Sequence, residues 1–237
     1  MYTNASRLTE EELRIIEATG WGARQGFGTR PAVIVIDVTY GFTGDKPEPI
    51  LKSIERFPTS CGEHAWESVR AIKELLVEAR SAAVPVFYTR NDFHPLKLDL
   101  GSWRWKSARV DEGAREYERL ARQIVADIGP TERDIVITKQ KPSAFFGTPL
   151  LSNLIELGVD QLVVVGCVTS GCVRSSVIDA FSNNLRVAVV REGTFDRIEL
   201  SHEVALFEMD AKYADVHSLE SAIAYLRTMR EGVQVAV

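Results

Sequence analysis

Short runs of Val, Ile and other apolar residues alternate with longer amphipathic segments along most of this chain. Five runs predict strands at residues 32–38, 84–89, 134–138, 161–165 and 186–190, and residues 215–216 are expected to begin a sixth. Strands that are apolar throughout are buried on both faces, and helical crossovers between them allow parallel pairing. The alternation therefore predicts an α/β fold with a doubly wound, mostly parallel sheet in a three-layer α/β/α arrangement.

Boundaries of the intervening helices carry their own signals. Ser60 and the glutamate three positions later have the spacing of a capping box, ahead of a helix predicted to reach about residue 80. Thr148 and Pro149 predict the cap and first turn of a later helix. Gly158 fits the left-handed residue that ends that helix.

The length of the chain suits one large hydrophobic core. It has 237 residues, of which 45% are hydrophobic and 26% are charged, as in ordinary globular proteins. We expect residues 1–30 to form an N-terminal helical arm, with a helix over 9–19 and a Gly-rich tether, and residues 31–237 to form a single domain. Residues 91–110 lack clear periodicity, which predicts a long loop over the edge of the sheet.

Charge and cysteine content argue against several partners. Lys+Arg 28 against Asp+Glu 33 gives a net charge of -5, so we expect no nucleic acid. The segment from Thr9 is acidic where a signal peptide is apolar, and the longest uncharged stretch, 161–173, has polar interruptions, so we expect no membrane association. Three cysteines predict reduced thiols and a cytoplasmic location.

Three polar side chains stand where apolar runs end. Asp37 follows the first run, Lys139 follows the third, and Cys172 lies in the turn after the fourth. Ligands of doubly wound sheets bind beyond the carboxyl ends of the strands. We therefore expect the three residues to gather at one edge, with Lys139 and Cys172 presented by adjacent strands.

A carboxylate, an ammonium and a thiol together form a plausible nucleophilic site. We expect the helix N-terminus and Lys139 to lower the pKa of Cys172, Asp37 to carry the thiol proton, and backbone N–H groups to hold an oxyanion. Such a site suits acyl transfer at an amide carbonyl. Taken singly, each residue also has a structural interpretation, and Cys167 and Cys61 are expected to be a core residue and an incidental cysteine.

Three segments resemble the isochorismatase-like cysteine hydrolases, and among them the N-carbamoylsarcosine amidohydrolase and maleamate amidohydrolase group. They are GFGTRPAVIVID at 26–37, TKQKPSAFFGT at 138–148 and VGCVTSGCVR at 165–174, and a weaker likeness covers roughly 26–227. The resemblance implies the isochorismatase-like hydrolase fold for residues 31–237. It also implies assembly as a homo-oligomer, a dimer or a tetramer, in which the N-terminal arm is available for exchange between subunits.

The resemblance also assigns roles at the site. It implies a catalytic triad of Asp37, Lys139 and Cys172, with Lys141 as the second choice for the lysine. It implies a cis peptide bond between Val168 and Thr169 that turns amide groups toward the oxyanion.

Cofactor use follows from a departure from the family pattern. Nicotinamidase-like relatives carry an Asp-x-His element with further histidines, whereas here Asp92 and His94 supply only the first pair. We therefore expect no metal and no other cofactor, and nicotinamide is a disfavoured substrate.

Substrate recognition is predicted for four further residues. Arg197 resembles a clamp for a substrate carboxylate, and a surface ion pair with Asp196 or Glu199 is an equal alternative. Trp103 and Trp105 are expected to shield the substrate or to lie in subunit contacts. Arg174, together with Thr169, is a pocket residue with less support.

These features favour a metal-independent amidohydrolase. Its expected substrate is a small linear carbamoyl or amide compound that bears a carboxylate and resembles N-carbamoylsarcosine. The C–N bond is expected to be cleaved through a thioester, with release of ammonia. The alternatives are maleamate or another ureido or amide compound, a metal-dependent nicotinamidase, and a redox-sensing non-enzyme that pairs Cys167 with Cys172.

Overall fold

One parallel sheet of six strands organises the chain. The structure, a computed structural model, describes residues 8–92, 101–106 and 117–232. The strand order is β3-β2-β1-β4-β5-β6, and each neighbouring pair is parallel. The strands are β1 Pro31–Ile36, β2 Val86–Arg90, β3 Ile135–Thr138, β4 Gln161–Cys167, β5 Arg186–Phe195 and β6 Asp215–His217. The predicted fold class and all six predicted strands are confirmed.

Ten helices accompany the sheet in the described part of the chain. Six are longer than four residues and pack around the sheet or form the arm: α1 Glu10–Thr19, α4 Glu63–Ser81, α7 Leu150–Glu156, α8 Arg174–Ser182, α9 Glu199–Lys212 and α10 Leu219–Gly232. The short ones are α2 Tyr40–Thr43, α3 Ile50–Ser53, α5 Trp103–Lys106 and α6 Glu118–Ala121. Within the described residues, none of the helices combines the length and the apolar character that a bilayer crossing requires.

The alternation of side chains along β1 explains the three layers. All six residues of β1 are buried, and successive side chains point to opposite faces of the sheet. Val33 packs in a core with residues of α4 and α10, whereas Ile34 packs in a second core with residues of α7, α8 and α9. Helices therefore cover both faces, as a run of continuously apolar strands requires.

Both predicted helix starts differ from the structure: the cap of α4 is not Ser60, and the cap position of α7 is Pro149, one residue later than predicted. Ser60 does not cap α4, because its buried hydroxyl accepts hydrogen bonds from Ser53 Oγ at 2.7 Å and from Gly62 N at 3.1 Å. Gly62 occupies the cap position with φ of +70°. Thr148, the residue before the cap, accepts a hydrogen bond from Leu150 N at 3.3 Å through Oγ1. Gly158 has φ of +63°, which confirms the predicted left-handed residue after α7.

The N-terminal segment forms the expected helix and is tied to the far edge of the sheet. α1 begins with a capping box between Thr9 and Glu12, and its residues are exposed or half-buried. In the tether, the buried Asp215 carboxylate of β6 accepts hydrogen bonds from Gln25 N at 3.1 Å and Gly26 N at 2.9 Å. The division of the chain into an arm and a domain at residue 30 stays a prediction.

Gly166 permits a close approach between the two central strands. It pairs with Ile36 and has φ of +116°, a conformation that other residues rarely adopt. A Cβ atom at this position would overlap the backbone of Ile36, with its amide nitrogen only 2.6 Å away. Because Asp37 and Cys167 are the next residues of the two strands, this contact sets the spacing of the strand ends.

We expect Gly166→Ala to lower the free energy of unfolding by about 3 kcal/mol or more, because the added methyl group meets backbone that cannot move aside. Gly147→Ala is the matched control, since Gly147 has φ of +69° but no atom within 4 Å of the Cβ position. The control should lose only about 1–2 kcal/mol. Urea unfolding of both variants measures the difference, and equal losses would contradict the role assigned to Gly166.

Candidate active site

Asp37 is held in an unusual backbone conformation at the end of β1. It is 1% exposed and has φ of +54°, which is uncommon for a residue other than glycine and recurs at functional sites. Its N–H donates to Thr89 O at 3.2 Å and Thr89 Oγ1 at 3.1 Å. The Thr89 hydroxyl donates to Asp37 Oδ1 at 2.7 Å. These contacts with β2 leave the second carboxylate oxygen facing Lys139.

Lys139 directly follows β3, and its side chain, including the ammonium group, is buried. Its Nζ lies 2.6 Å from Asp37 Oδ2, and it donates to Lys141 O at 3.0 Å and to Cys172 Sγ at 3.4 Å. The ammonium thus makes two hydrogen bonds and one close ion pair. Burial favours the neutral amine, but Asp37 and Cys172 outweigh this effect and raise the pKa of Lys139. Lys139 is therefore a fixed cation.

The strand order differs from the sequence expectation for this residue. Lys139 and Cys172 were expected on adjacent strands, yet β2 and β1 lie between β3 and β4. The long lysine side chain reaches across β2 to Asp37 at the end of β1. Lys141, the second choice for the lysine, contributes its carbonyl oxygen to the ammonium.

Cys172 lies in a single π-helical turn, Thr169–Val173, between β4 and α8. We call this segment the nucleophile turn, and such turns are frequent at functional sites. Burial, followed by the charge of Asp37, raises the pKa of Cys172 to about 12, although Lys139 acts in the opposite direction. The expectation of a lowered pKa is therefore wrong, because desolvation and the neighbouring carboxylate outweigh the ammonium. The resting group is a thiol.

The cis peptide bond lies one position earlier than expected. It joins Cys167 to Val168, not Val168 to Thr169. Neither bond precedes a proline, so no local sequence signal distinguishes them. Val168 O accepts hydrogen bonds from Gly171 N at 2.9 Å and Val173 N at 3.3 Å.

Side chains from neighbouring elements hold the nucleophile turn. Thr169, fully buried, makes a hydrogen bond of 2.8 Å with His202 Nδ1 on α9. Ser176 Oγ donates to Cys172 O at 2.7 Å and accepts from Ala144 N at 2.9 Å. Ser176 therefore links the turn to the loop that follows Lys139.

Arg197 is fixed beside residues 42–59. Its guanidinium donates to Thr59 O and lies 5.5 Å from the centre of the Phe42 ring. Its Nε is buried and makes no hydrogen bond within the part of the chain that the structure describes. The carboxylate of Asp196 accepts hydrogen bonds from Ser170 and from the backbone N–H of Arg197. The guanidinium of Arg197 contacts Thr59 and Phe42 instead.

The other predicted substrate residues are an arginine next to the nucleophile turn and two tryptophans in α5. Arg174 forms an ion pair with Glu208 of α9 at 2.7 Å. Trp103 and Trp105, in α5, are 43% and 86% exposed. Their roles in substrate binding stay predictions.

The residues considered for a metal divide between described and undescribed segments. Asp92 lies 3.6 Å from Arg122 in an ion pair, and His94 lies outside the described residues. Across residues 8–92, 101–106 and 117–232, no group of three or more His, Cys, Asp or Glu side chains is arranged to hold a metal ion.

Sequence reasoning missed Thr89 and Ser176. Thr89 ends the predicted strand 84–89, so the rule that selected Asp37 and Lys139 at strand ends also pointed to it. Ser176 carries no such signal, because a serine inside a helix commonly bonds to a carbonyl of the preceding turn. Only its second contact, with Ala144 in a distant loop, gives it a place at the site.

Known proteins match this chain over most of its length. The isochorismatase domain family matches residues 31–221. Maleamate amidohydrolase from Pseudomonas putida is 36% identical over 210 residues, which cover 87% of this chain and 92% of that protein. N-carbamoylsarcosine amidase from an Arthrobacter species is 34% identical over 219 residues, which cover 90% and 77%. A crystal structure of a cysteine hydrolase from Pseudomonas syringae shares the fold, with a TM-score of 0.72 at 20% identity, and covers 84% of this chain and 93% of its own.

The raised pKa of Cys172 leads to a prediction about the rate at which the thiol is alkylated. Asp37→Asn removes a charge that raises this pKa and leaves Lys139 beside the sulfur, so we expect iodoacetamide to label Cys172 about ten-fold faster at neutral pH. Peptide mass spectrometry measures the rate at Cys172 separately from Cys61 and Cys167. Asp127→Asn, at an exposed carboxylate, should leave the rate unchanged. Slower labelling in Asp37→Asn would show that the carboxylate does not oppose the thiolate.

Proposed function

This chain belongs to the isochorismatase domain family, and we propose that it is a cysteine amidohydrolase that cleaves the C–N bond of a small linear carbamoyl or amide compound without a metal. Relatives that are 34% and 36% identical carry the names N-carbamoylsarcosine amidase and maleamate amidohydrolase. The observation that carries the proposal is the buried ammonium of Lys139, which lies 2.6 Å from the carboxylate of Asp37 and 3.4 Å from the sulfur of Cys172.

The reaction begins with proton transfer from the thiol. Because burial and Asp37 keep the resting Cys172 protonated, the sulfur becomes nucleophilic only as its proton moves to the Asp37 carboxylate. Lys139 stabilises the sulfur anion as it forms, since its ammonium already donates a hydrogen bond to Sγ. Lys139 keeps its own proton, because its pKa is raised.

Attack on the amide carbonyl places negative charge on the carbonyl oxygen. In the nucleophile turn, the N–H groups of Ser170, Gly171 and Val173 already donate to protein acceptors. We assign the oxyanion to the amides of Cys172 and Thr169, the two residues of the turn that remain. Fixed amides of this kind stabilise charge without reorganisation during the reaction.

Collapse of the tetrahedral intermediate breaks the C–N bond. Asp37 returns its proton to the departing nitrogen, so ammonia leaves and Cys172 holds the acyl or carbamoyl group as a thioester. Water then attacks the thioester while Asp37 accepts its proton, and the thiol is restored as the acid is released. A carbamoyl substrate gives a carbamic acid, which decomposes to an amine and carbon dioxide.

Arg197 supports a substrate with a carboxylate. Its guanidinium is held in place by Thr59 and Phe42, and its buried Nε has no hydrogen-bond acceptor among the described residues. A planar guanidinium with an unused donor suits a carboxylate of the substrate. Maleamate and N-carbamoylsarcosine each join a carboxylate to an amide or carbamoyl group, so both belong in a substrate panel.

Assembly as a dimer or tetramer, a cytoplasmic location and the absence of a cofactor remain predictions. Each follows from the sequence or from family resemblance. Sedimentation and elemental analysis of the purified protein test the first and the third.

We expect Cys172→Ala to reduce ammonia release from maleamate, N-carbamoylsarcosine and related ureido acids by about 10⁴-fold or more, because no other group forms the thioester. Cys61→Ala is the matched control, since Cys61 is 1% exposed and lies in the core. The control should retain activity. A Cys172→Ala variant with wild-type turnover would remove the mechanism.

Arg197→Met should lower kcat/KM about 100-fold for substrates with a carboxylate, because the carboxylate loses its charged partner. The matched comparison is a neutral amide of the same length, for which the same variant should change kcat/KM little. Steady-state ammonia release measures both. A similar loss on both substrates would show that Arg197 maintains the fold of the site and does not select the carboxylate.

A further inference from the structure

The carboxylate of Asp196 joins two parts of the site that are distant in sequence. Asp196 directly follows β5, and its Oδ2 accepts hydrogen bonds from Ser170 N at 2.8 Å and from Ser170 Oγ at 2.7 Å. Its Oδ1 accepts from Arg197 N at 2.7 Å. One side chain therefore holds the nucleophile turn, two residues before Cys172, and the backbone of Arg197.

These contacts are suited to fixing a position. Both oxygens of the carboxylate are used, and three donors converge on them from two segments of the chain. Hydrogen bonds to an ionised acceptor are stronger than those between neutral groups. Ser170 itself is exposed, so packing alone does not hold this end of the turn.

The other side of the turn is anchored separately. Thr169 is bonded to His202 on α9, and Ser176 bonds the carbonyl of Cys172. The anchor at Asp196 is the one that reaches both the nucleophile turn and Arg197. Loss of this anchor would free Ser170 while the hydrogen bonds of Thr169 and Ser176 remain.

We propose that Asp196 is a positioning residue. It holds the sulfur of Cys172 beside Asp37 and Lys139, and it fixes the backbone of Arg197 relative to Cys172. The proposal rests on the proposed amidohydrolase function for its kinetic test. Asp196 does not touch the reacting atoms in this assignment, and it acts through Ser170 and the backbone of Arg197.

The kinetic test compares Asp196→Ala with wild type on the same carboxylate-bearing substrate. We expect kcat to fall about 100-fold, because small displacements of a reacting group have effects of that size, while KM changes less than about three-fold. Asp196→Asn keeps one acceptor oxygen, so its kcat should lie between those of Asp196→Ala and wild type. Glu199→Gln, which removes an exposed charge three residues away, should behave as wild type.

Alkylation gives a readout that needs no substrate. In Asp196→Ala the released turn should expose Cys172, so iodoacetamide should label it at least about five-fold faster while turnover falls. Cys61 and Cys167 are 1% and 0% exposed and report on the fold, so they should stay protected. If the protein had no amidase activity, this labelling pattern would still test the positioning role.

A second variant keeps the test decisive if Asp196→Ala does not fold. Ser170→Ala removes one of the hydrogen bonds to the carboxylate, and it should lower kcat about ten-fold with Cys61 and Cys167 protected. In a folded Asp196→Ala background, Ser170→Ala should add no further loss, since both act through the same contact. Unchanged kcat and unchanged Cys172 labelling in folded variants, or additive losses, would overturn the proposal.

Discussion

The buried ammonium of Lys139 is the interaction on which the site depends. It forms an ion pair with Asp37 and donates hydrogen bonds to Lys141 and Cys172. Desolvation of a charge is costly, and removal of one partner from such a pair typically costs about 3–5 kcal/mol. The carboxyl ends of β1 and β3 and the nucleophile turn are therefore tied to one another through a single cation.

This cation lies between a carboxylate and a thiol. The pKa of Lys139 is raised by Asp37 and Cys172, while the pKa of Cys172 is raised by burial and by Asp37. The resting site thus holds a carboxylate, an ammonium and a neutral thiol. In the proposed reaction a proton moves from sulfur to carboxylate, and the ammonium, already in contact with both groups, stabilises either state.

Backbone geometry positions both the carboxylate of Asp37 and the thiol of Cys172. Asp37 adopts φ of +54°, a conformation held by hydrogen bonds from β2. The nucleophile turn is held by contacts with residues of α9, of the loop after β3 and of the segment that follows β5. Residues at the ends of several strands therefore define one small volume, as is usual for the carboxyl edge of a doubly wound sheet.

The sequence by itself determined the fold class, the six strands and the three residues that meet at the site, because apolar periodicity and position at a strand end are local properties. Only the tertiary structure decided which strands are neighbours, which peptide bond is cis, and that Thr89, Ser176 and Asp196 support the site. It also reversed the expected direction of the Cys172 pKa shift. Burial and the distances between charges arise from packing of segments far apart in the chain, so no local pattern of residues contains them.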